Sequence, residues 1–230
     1  MRAVSRSAGR AGFTIIELMV VVTIIAVIAL LAIPNIISAR MTANEAAAVE
    51  TLRSISTAQA QFLRSGKADE DGDGTGEFGT FGEMTGAVGV RGGSLKAPTD
   101  LTASMRNVSV SGEVEKAGYI FRMYLPDPAG HGVRDNPGGG ILLGVLDQNL
   151  AENIWCCYAW PARHGVSGRK SFFVNQMGDI RFAESSLYSG WNCAYIRAGN
   201  AFATPDQDSI TGYPATGTVA ADGLNWRIVN

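Results

Sequence analysis

A predominantly apolar run from Phe13 to Ile33 limits the possible folds of this chain more than any other feature, because it contains one carboxylate, Glu17, and no other charge. At about 1.5 Å per residue, a helix over this run is about 31 Å long, close to the hydrocarbon thickness of a bilayer. The run therefore predicts one transmembrane helix. A carboxylate costs at least about 2.5 kcal/mol near the bilayer centre and less near an interface. Glu17 is therefore expected to have a cationic or hydrogen-bond-donating partner.

A basic segment with three arginines precedes the run and ends in Gly12. No Lys or Arg occurs from residue 11 to residue 39. If the first 12 residues are removed, the nearest cation available to Glu17 is the new α-amino group of Phe13. A secretory signal peptide is cut after its apolar region, whereas this cut lies before it. The mature chain would then keep the apolar run as an N-terminal helix.

The order of residues at this boundary resembles a known motif. The sequence Gly12-Phe13-Thr14-Ile15-Ile16-Glu17-Leu18-Met19-Val20-Val21, followed by Ala32-Ile33-Pro34, is similar to the processing and assembly motif of type IV pilins and type II secretion pseudopilins. The resemblance implies that a prepilin peptidase cleaves between Gly12 and Phe13 and methylates the new amino group. It further implies that Glu17 pairs with the Phe13 amine of a neighbouring subunit. Pro34 falls where the family kinks or locally unwinds this helix.

The resemblance also implies a location and a set of partners. The precursor is expected to cross the cytoplasmic membrane once, with its C-terminal part outside the cytoplasm. It is then expected to leave the lipid bilayer for an extracellular or periplasmic filament. The expected partners are identical or homologous pilin subunits, prepilin peptidase, and a membrane assembly platform with a separate ATPase. Opposite charges about 4 Å apart attract by about 4 kcal/mol at an effective dielectric constant of 20, which offsets much of the desolvation of Glu17.

Several alternatives to a pilus subunit stay open at this point. The chain could be a pseudopilin of a type II secretion system, or an ordinary membrane anchor in which Glu17 reaches an interface. It could be a membrane-tethered adhesin that binds a ligand through an exposed loop over Pro126 to Gly140, or an anchored hydrolase that uses His131 or His164. The sequence has no Gly-x-Ser-x-Gly elbow, His-Glu-x-x-His motif or Walker loop, so we expect no catalytic activity.

Net charge and length limit the functions and the number of domains that the rest of the chain can have. Without the leader, 16 basic side chains face 21 acidic ones, a net charge of −5, which disfavours nucleic-acid binding. The roughly 165 residues after the helix suffice for one globular domain. We therefore expect a leader over residues 1–12, a transmembrane and assembly segment over 13–33, an amphipathic half of the same helix over 34–65, and a β-rich domain over 66–230.

The sequence after Pro34 favours continuation of the helix to about Ser65, with Gly66 as its stop. Apolar residues recur there at three- and four-residue steps and give one face to bury. These residues are Val49, Leu52, Ile55, Ala58 and Phe62.

Short aromatic and β-branched runs follow, bounded by Gly, Pro and Asp. They predict strands over Tyr119–Leu125, Trp155–Trp160 and Ser171–Asn175, the last forming a hairpin with Ile180–Phe182. A helix followed by antiparallel strands on which it packs is an α+β fold.

An acidic, Gly-rich loop lies between the helix and the strands. Asp69, Asp71 and Asp73 occupy alternating positions with Gly74 next, as at the start of a calcium-binding loop. The twelfth position of such a loop carries a bidentate Glu, but here it is Thr80. Calcium is therefore one possibility, and a solvated connecting loop is the other.

Three cysteines occur, all in the part expected outside the cytoplasm. In an oxidising compartment they predict a disulfide between Cys193 and either Cys156 or Cys157. Successive side chains of a strand point to opposite faces, so only one of the adjacent pair can face Cys193. Neither His131 nor His164 adds a recognisable zinc pattern to them.

Overall fold

The computed structural model describes residues 12–229, so the predicted leader lies outside the described residues except for Gly12. The chain divides into two compact units, one ending at Ala39 and one beginning at Arg40. The described helices are α1 (Ile15–Arg64), α2 (Phe81–Met84) and α3 (Gln148–Ala151), with single 3-10 turns at Val90–Gly92 and Ala103–Met105. The described strands are β1 (Glu113–Lys116), β2 (Tyr119–Pro126), β3 (Gly132–Arg134), β4 (Cys156–Pro161), β5 (Lys170–Asn175), β6 (Arg181–Glu184) and β7 (Arg227–Ile228).

Helix α1 ends one residue before the predicted boundary. Gly66 follows with a φ of +56°, the left-handed conformation in which glycine commonly terminates helices. Pro34 lies inside α1, and the chain remains helical through it. Because proline has no backbone N–H, one helical hydrogen bond is missing at this position, but no unwound segment is present.

The second half of α1 packs on the sheet through the predicted apolar face. Leu52, Ile55, Ala58 and Phe62 are fully buried and belong to one core with residues of the central strands. Gln59 lies within this face, and its amide group exchanges hydrogen bonds with Gly79, donating to its carbonyl at 2.7 Å and accepting from its N–H at 2.9 Å. A buried amide that is paired in this way ties the loop after α1 to the helix at little desolvation cost.

The strands form one antiparallel sheet in the order β1-β2-β4-β5-β6-β7, with β3 also pairing with β2. Strand β4 lies in the centre, with Phe121 opposite Ala159 on one side and Cys157 opposite Val174 on the other. Strands β5 and β6 form the predicted hairpin. The α+β fold expected from the sequence is therefore confirmed.

The segment from Pro126 to Gly140 differs from the exposed loop expected from its Pro and Gly content. Gly132–Arg134 forms β3, and Asp135 after it is buried. The Asp135 carboxylate accepts N–H groups of Phe81 at 3.1 Å and Gly140 at 2.7 Å. Burial raises the pKa of Asp135 to about 7, although these hydrogen bonds act in the opposite direction. The segment is thus anchored at a buried point.

A second core covers the sheet face opposite α1. The C-terminal segment, whose fold the sequence did not reveal, supplies Phe202 and Trp226 to this core. Their rings pack against Phe173 of β5, with centroids 5.4 and 6.1 Å from it. The short strand β7 then pairs with β6 and completes the sheet. The central strands are consequently buried on both faces.

Candidate functional site

The first unit consists of the N-terminal part of α1, and its apolar side chains are exposed. Phe13 and Ile15 are each 81% exposed, and Leu31 is 69% exposed. An 18-residue window of this helix has a mean hydropathy of 3.0 and no buried residue. By length and composition, this helix can cross a membrane. An apolar surface of this extent requires lipid or other protein around it.

Glu17 forms a capping box with Thr14 at the start of α1. The Glu17 carboxylate accepts the Thr14 N–H at 2.9 Å and its hydroxyl at 2.7 Å, and the Glu17 N–H donates to the Thr14 hydroxyl at 3.2 Å. The box satisfies two backbone donors that the first turn would otherwise leave open. The spacing Thr-x-x-Glu in the sequence signals this box, and Thr14 thus supplies a hydrogen-bond-donating partner of the kind expected for Glu17. Glu17 thus has a local partner, and its carboxylate can still accept hydrogen bonds from another donor.

The acidic loop brings its three aspartates together. The nearest carboxylate oxygens of Asp69, Asp71 and Asp73 all lie within 4.8 Å of one another. One oxygen of Asp71 and one of Asp73 accept loop N–H groups, while both oxygens of Asp69 do so. Each carboxylate oxygen has a further lone pair, so these bonds leave capacity to coordinate a cation.

The end of the predicted calcium loop has a different role. Thr80 is the N-cap of α2 and accepts the N–H of Glu83, while the Glu83 carboxylate accepts the N–H of Thr80. The carboxylate of Glu152, just after α3, lies outside the close group of three aspartates but interacts electrostatically with Asp73 and Asp71. One Glu152 oxygen is buried without a hydrogen-bond partner among the described residues. Its burial, and then Asp73 and Asp71, raise the pKa of Glu152. Because Glu152 is far from the acidic loop in the sequence, no sequence pattern indicates that it lies near the loop.

A buried ion cluster adjoins this loop. The Arg91 guanidinium contacts Glu70 at 2.8 Å, Glu77 at 2.9 Å and Glu83 at 2.6 Å. Burial acts to lower the pKa of Arg91, but Glu83 and Glu77 raise it above its ordinary value, so the guanidinium stays charged. One positive charge thus faces three carboxylates, and the region carries excess negative charge.

The three cysteines are free thiols in the structure, and the disulfide of Cys193 with Cys156 or Cys157 stays a prediction. Cys156 shares a core with Cys193, whereas Cys157 points into the core beneath α1. The Cys156 sulfur approaches the carbonyl of Ala198 at 3.7 Å, and the Cys193 sulfur approaches that of Leu187 at 3.4 Å. The two thiols that share a face therefore each contact a backbone carbonyl.

The histidines do not assemble a hydrolytic site. His131 faces two carboxylates, with Nε2 3.3 Å from Asp206 and Nδ1 3.8 Å from Asp127. His164 donates its backbone N–H to the hydroxyl of Ser189 at 2.9 Å. Within residues 12–229, neither imidazole hydrogen-bonds to a serine, threonine or cysteine side chain. The geometry gives no support to the hydrolase alternative.

Comparison with known families agrees with the N-terminal geometry. A model of the prokaryotic N-terminal methylation motif matches residues 7–33. This motif is the signature of type IV pilins and pseudopilins, so the resemblance inferred from the sequence is confirmed. It implies processing by prepilin peptidase and assembly with other pilin subunits, and with the apolar helix it fits a membrane-anchored precursor.

A second family model covers most of the remaining chain. This model, described as a protein of unknown function (DUF2950), matches residues 31–184. The match extends over more than half of the sequence, and the chain belongs to this family. No curated protein and no solved structure matches the chain.

Proposed function

We propose that this protein is a structural subunit of a type IV pilus-like filament, cleaved after Gly12 and polymerised through α1. One observation carries the proposal: the first unit presents an exposed apolar helix with Glu17 in its first turn, four residues after Phe13. In the membrane, lipid covers this helix. The helix can leave lipid only if the helices of neighbouring subunits replace those contacts. The N-terminal helices would then form the filament core.

In this proposal Glu17 sets the axial register. The amine created at Phe13 is the cation nearest to the start of the helix, and in a filament it belongs to the adjacent subunit. Pairing with it compensates the carboxylate once Glu17 is enclosed by apolar neighbours. An ordinary membrane anchor does not need an ion pair between Glu17 and the Phe13 amine of another subunit. A requirement for this pair therefore distinguishes a polymer from a monomeric tethered protein.

A type II secretion pseudopilin is the closest alternative. It uses the same processing and the same helix packing but forms a short periplasmic filament. Electron microscopy of sheared surface material, labelled for this chain, separates the two. Labelled surface filaments support a pilus, and their absence from cells that accumulate the processed protein supports a pseudopilus.

Replacing Gly12 by valine should block processing. A branched side chain directly before the cut is incompatible with a peptidase that accommodates glycine there, so the leader should be retained on essentially all molecules. Intact-mass spectrometry of the membrane-extracted protein measures this outcome, and the wild type should begin with N-methylated Phe13. The matched control, Gly9→Val, changes the leader away from the cut and should be processed normally. A wild-type chain that starts at any other residue contradicts the proposal.

We also propose that the acidic loop binds calcium through Asp69, Asp71 and Asp73, with Glu152 as a further carboxylate. Three observations support this: the close approach of the three aspartates, the unpartnered oxygen of Glu152, and the excess of carboxylates around Arg91. Oxygen-only ligands suit a hard cation, and the flexible spacing suits calcium better than magnesium. In this proposal the arrangement differs from a twelve-residue loop, because its last carboxylate would come from a distant part of the chain.

Isothermal titration calorimetry with calcium, on the full chain in detergent, tests this proposal. Asp71→Asn and Glu152→Gln should each weaken binding by about tenfold or more, because each removes a charged ligand. Asp179→Asn is the matched control, since this half-exposed carboxylate pairs with Arg181 away from the loop. The proposal is contradicted if the wild type releases or absorbs no heat on addition of calcium, or if the variants bind calcium as tightly as the wild type.

A further inference from the structure

A polar cavity of about 340 Å³ lies in the second unit, between the segment after β6 and the C-terminal segment. Its volume is at the lower end of the range for small-molecule sites. The side chains that matter for its chemistry are Leu187, Tyr188, Tyr195, Arg197, Asn200 and Asp222. Neither the predicted assembly role nor the calcium loop involves this cavity.

A hydrogen-bond network fixes the buried wall of the cavity. The Asn200 amide donates to the Tyr188 hydroxyl at 2.8 Å and to the Tyr195 carbonyl at 2.6 Å. The Tyr188 hydroxyl in turn donates to Asp222 at 2.6 Å. Burial, and then Asp222, raise the pKa of Tyr188, so its phenol stays protonated and remains a donor. These side chains are therefore held in defined orientations before any ligand arrives.

The network leaves one acceptor without a partner. Asn200 is 1% exposed, and its Oδ1 has no hydrogen-bond partner among the described residues. The amide orientation is fixed, because the carbonyl of Tyr195 can only accept a hydrogen bond and must face the Asn200 nitrogen. A buried acceptor that is left unpaired carries an uncompensated desolvation cost. A ligand that brings a hydroxyl or N–H donor recovers this cost.

The charges around the cavity favour an uncharged ligand. The Asp222 carboxylate already accepts from Tyr188, from the Trp226 indole at 3.1 Å and from the Leu224 N–H at 2.9 Å. The Arg197 guanidinium pairs with both oxygens of Asp208. Neither charge is free to serve as the counterion of a charged ligand.

The outer wall is apolar and partly aromatic. Tyr195 is 59% exposed and Leu187 is 56% exposed. An exposed tyrosine ring beside buried hydrogen-bonding groups can cover the C–H face of a flat polyol while its hydroxyls reach the polar wall. Exposed aromatic rings with a polar edge are commonly used at recognition surfaces.

We propose that this cavity binds a neutral saccharide, with a sugar hydroxyl donating to Asn200 Oδ1 and the sugar ring lying on Tyr195. Each sugar hydroxyl is a donor as well as an acceptor, so it can supply the hydrogen bond that Asn200 Oδ1 lacks. The proposal is independent of filament assembly, because the cavity belongs entirely to the second unit.

The test uses the full chain in phosphatidylcholine nanodiscs, because the head groups of maltoside detergents are themselves sugars and would compete for the cavity. Glucose, galactose, mannose and N-acetylglucosamine are titrated, and binding is followed by saturation-transfer NMR. We expect saturable binding of at least one of these sugars. Asn200→Ala should abolish it, and Tyr195→Ala should weaken it about threefold to tenfold through loss of the ring contact. Tyr213→Ala removes a tyrosine that is 82% exposed outside the cavity and should change nothing.

The outcomes are distinguishable. Tyr195→Ala keeps the backbone carbonyl that orders Asn200, so it remains informative if Asn200→Ala does not fold. Binding of none of the four sugars overturns the proposal, as does binding that Tyr195→Ala leaves unchanged. Tighter binding of N-acetylneuraminate or choline than of every neutral sugar also overturns it and indicates a charged ligand.

Discussion

Replacing Arg91 by methionine is expected to lower the free energy of unfolding by about 3–5 kcal/mol, because it leaves Glu77 and Glu83 buried without their cation. Both glutamate side chains are 1% exposed, so water cannot take over the role of the guanidinium. Urea unfolding of the full chain in detergent measures the effect through fluorescence of the buried tryptophans.

A matched control separates this cluster from an ordinary surface pair. Arg53 contacts Glu50 at 3.5 Å on the exposed side of α1, and Arg53→Met should change the free energy of unfolding by less than about 1 kcal/mol. If Arg91→Met does not fold, adding Glu83→Gln should restore part of the lost stability by removing one unpaired charge. A change below about 1 kcal/mol for Arg91→Met would mean that the buried carboxylates are compensated elsewhere.

Replacing Glu17 by alanine is expected to leave membrane insertion intact and to abolish filament incorporation. Insertion depends on the apolar window, which the substitution makes more apolar. Incorporation depends on the charge, because an attraction of about 4 kcal/mol between subunits at an effective dielectric constant of 20 is lost at every contact. Membrane fractionation measures insertion, and the amount of this chain in sheared or crosslinked filaments measures incorporation.

The capping box provides a sharper comparison. Glu17→Gln keeps an oxygen that can accept from Thr14 but removes the charge, so it should fail like alanine if intersubunit pairing is what matters. Normal filaments with Gln would show that capping the helix, worth about 0.5–2 kcal/mol, is the role of this side chain. Thr23→Ala is the control within the same helix, since its hydroxyl only bonds back to the Met19 carbonyl at 2.7 Å.

Features with a local signal could be predicted from the sequence. The apolar run with Glu17, the apolar face of α1 and the strands around Tyr119, Cys156 and Phe173 each follow from residue spacing within one element. The structure confirms the helix and the strands with shifts of one or two residues at their ends. Spacing suffices there because the periodicity of one element determines which of its faces is buried.

Features that depend on distant partners could not be predicted. Strand β3 is three residues long in a Pro- and Gly-rich segment, and only its pairing with β2 defines it. Arg91 adopts a left-handed backbone with φ of 48°, a conformation that nothing in its neighbouring sequence requires. Glu152 approaches the acidic loop only through the placement of α3. In each case the tertiary environment, which a linear pattern does not contain, decides the structure.

The cysteines show how far a local rule reaches, and the disulfide stays a prediction. Adjacent residues of β4 do point to opposite faces, as expected, and only Cys156 shares a core with Cys193. Sharing a core does not fix the direction of the sulfurs, and both approach carbonyl groups instead. Composition and compartment suggest that a bond is chemically permitted, whereas side-chain direction decides whether it forms.

The double covering of the central strands restricts how the second unit can acquire new binding properties. Every residue of β2 and β4 is buried, with α1 on one side and the C-terminal segment on the other. A substitution anywhere in these strands disturbs one core or the other, so they offer little room for variation. Diversification among related chains is therefore expected in the connecting segments and the C-terminal covering layer, where sequence can drift while the strand scaffold stays the same.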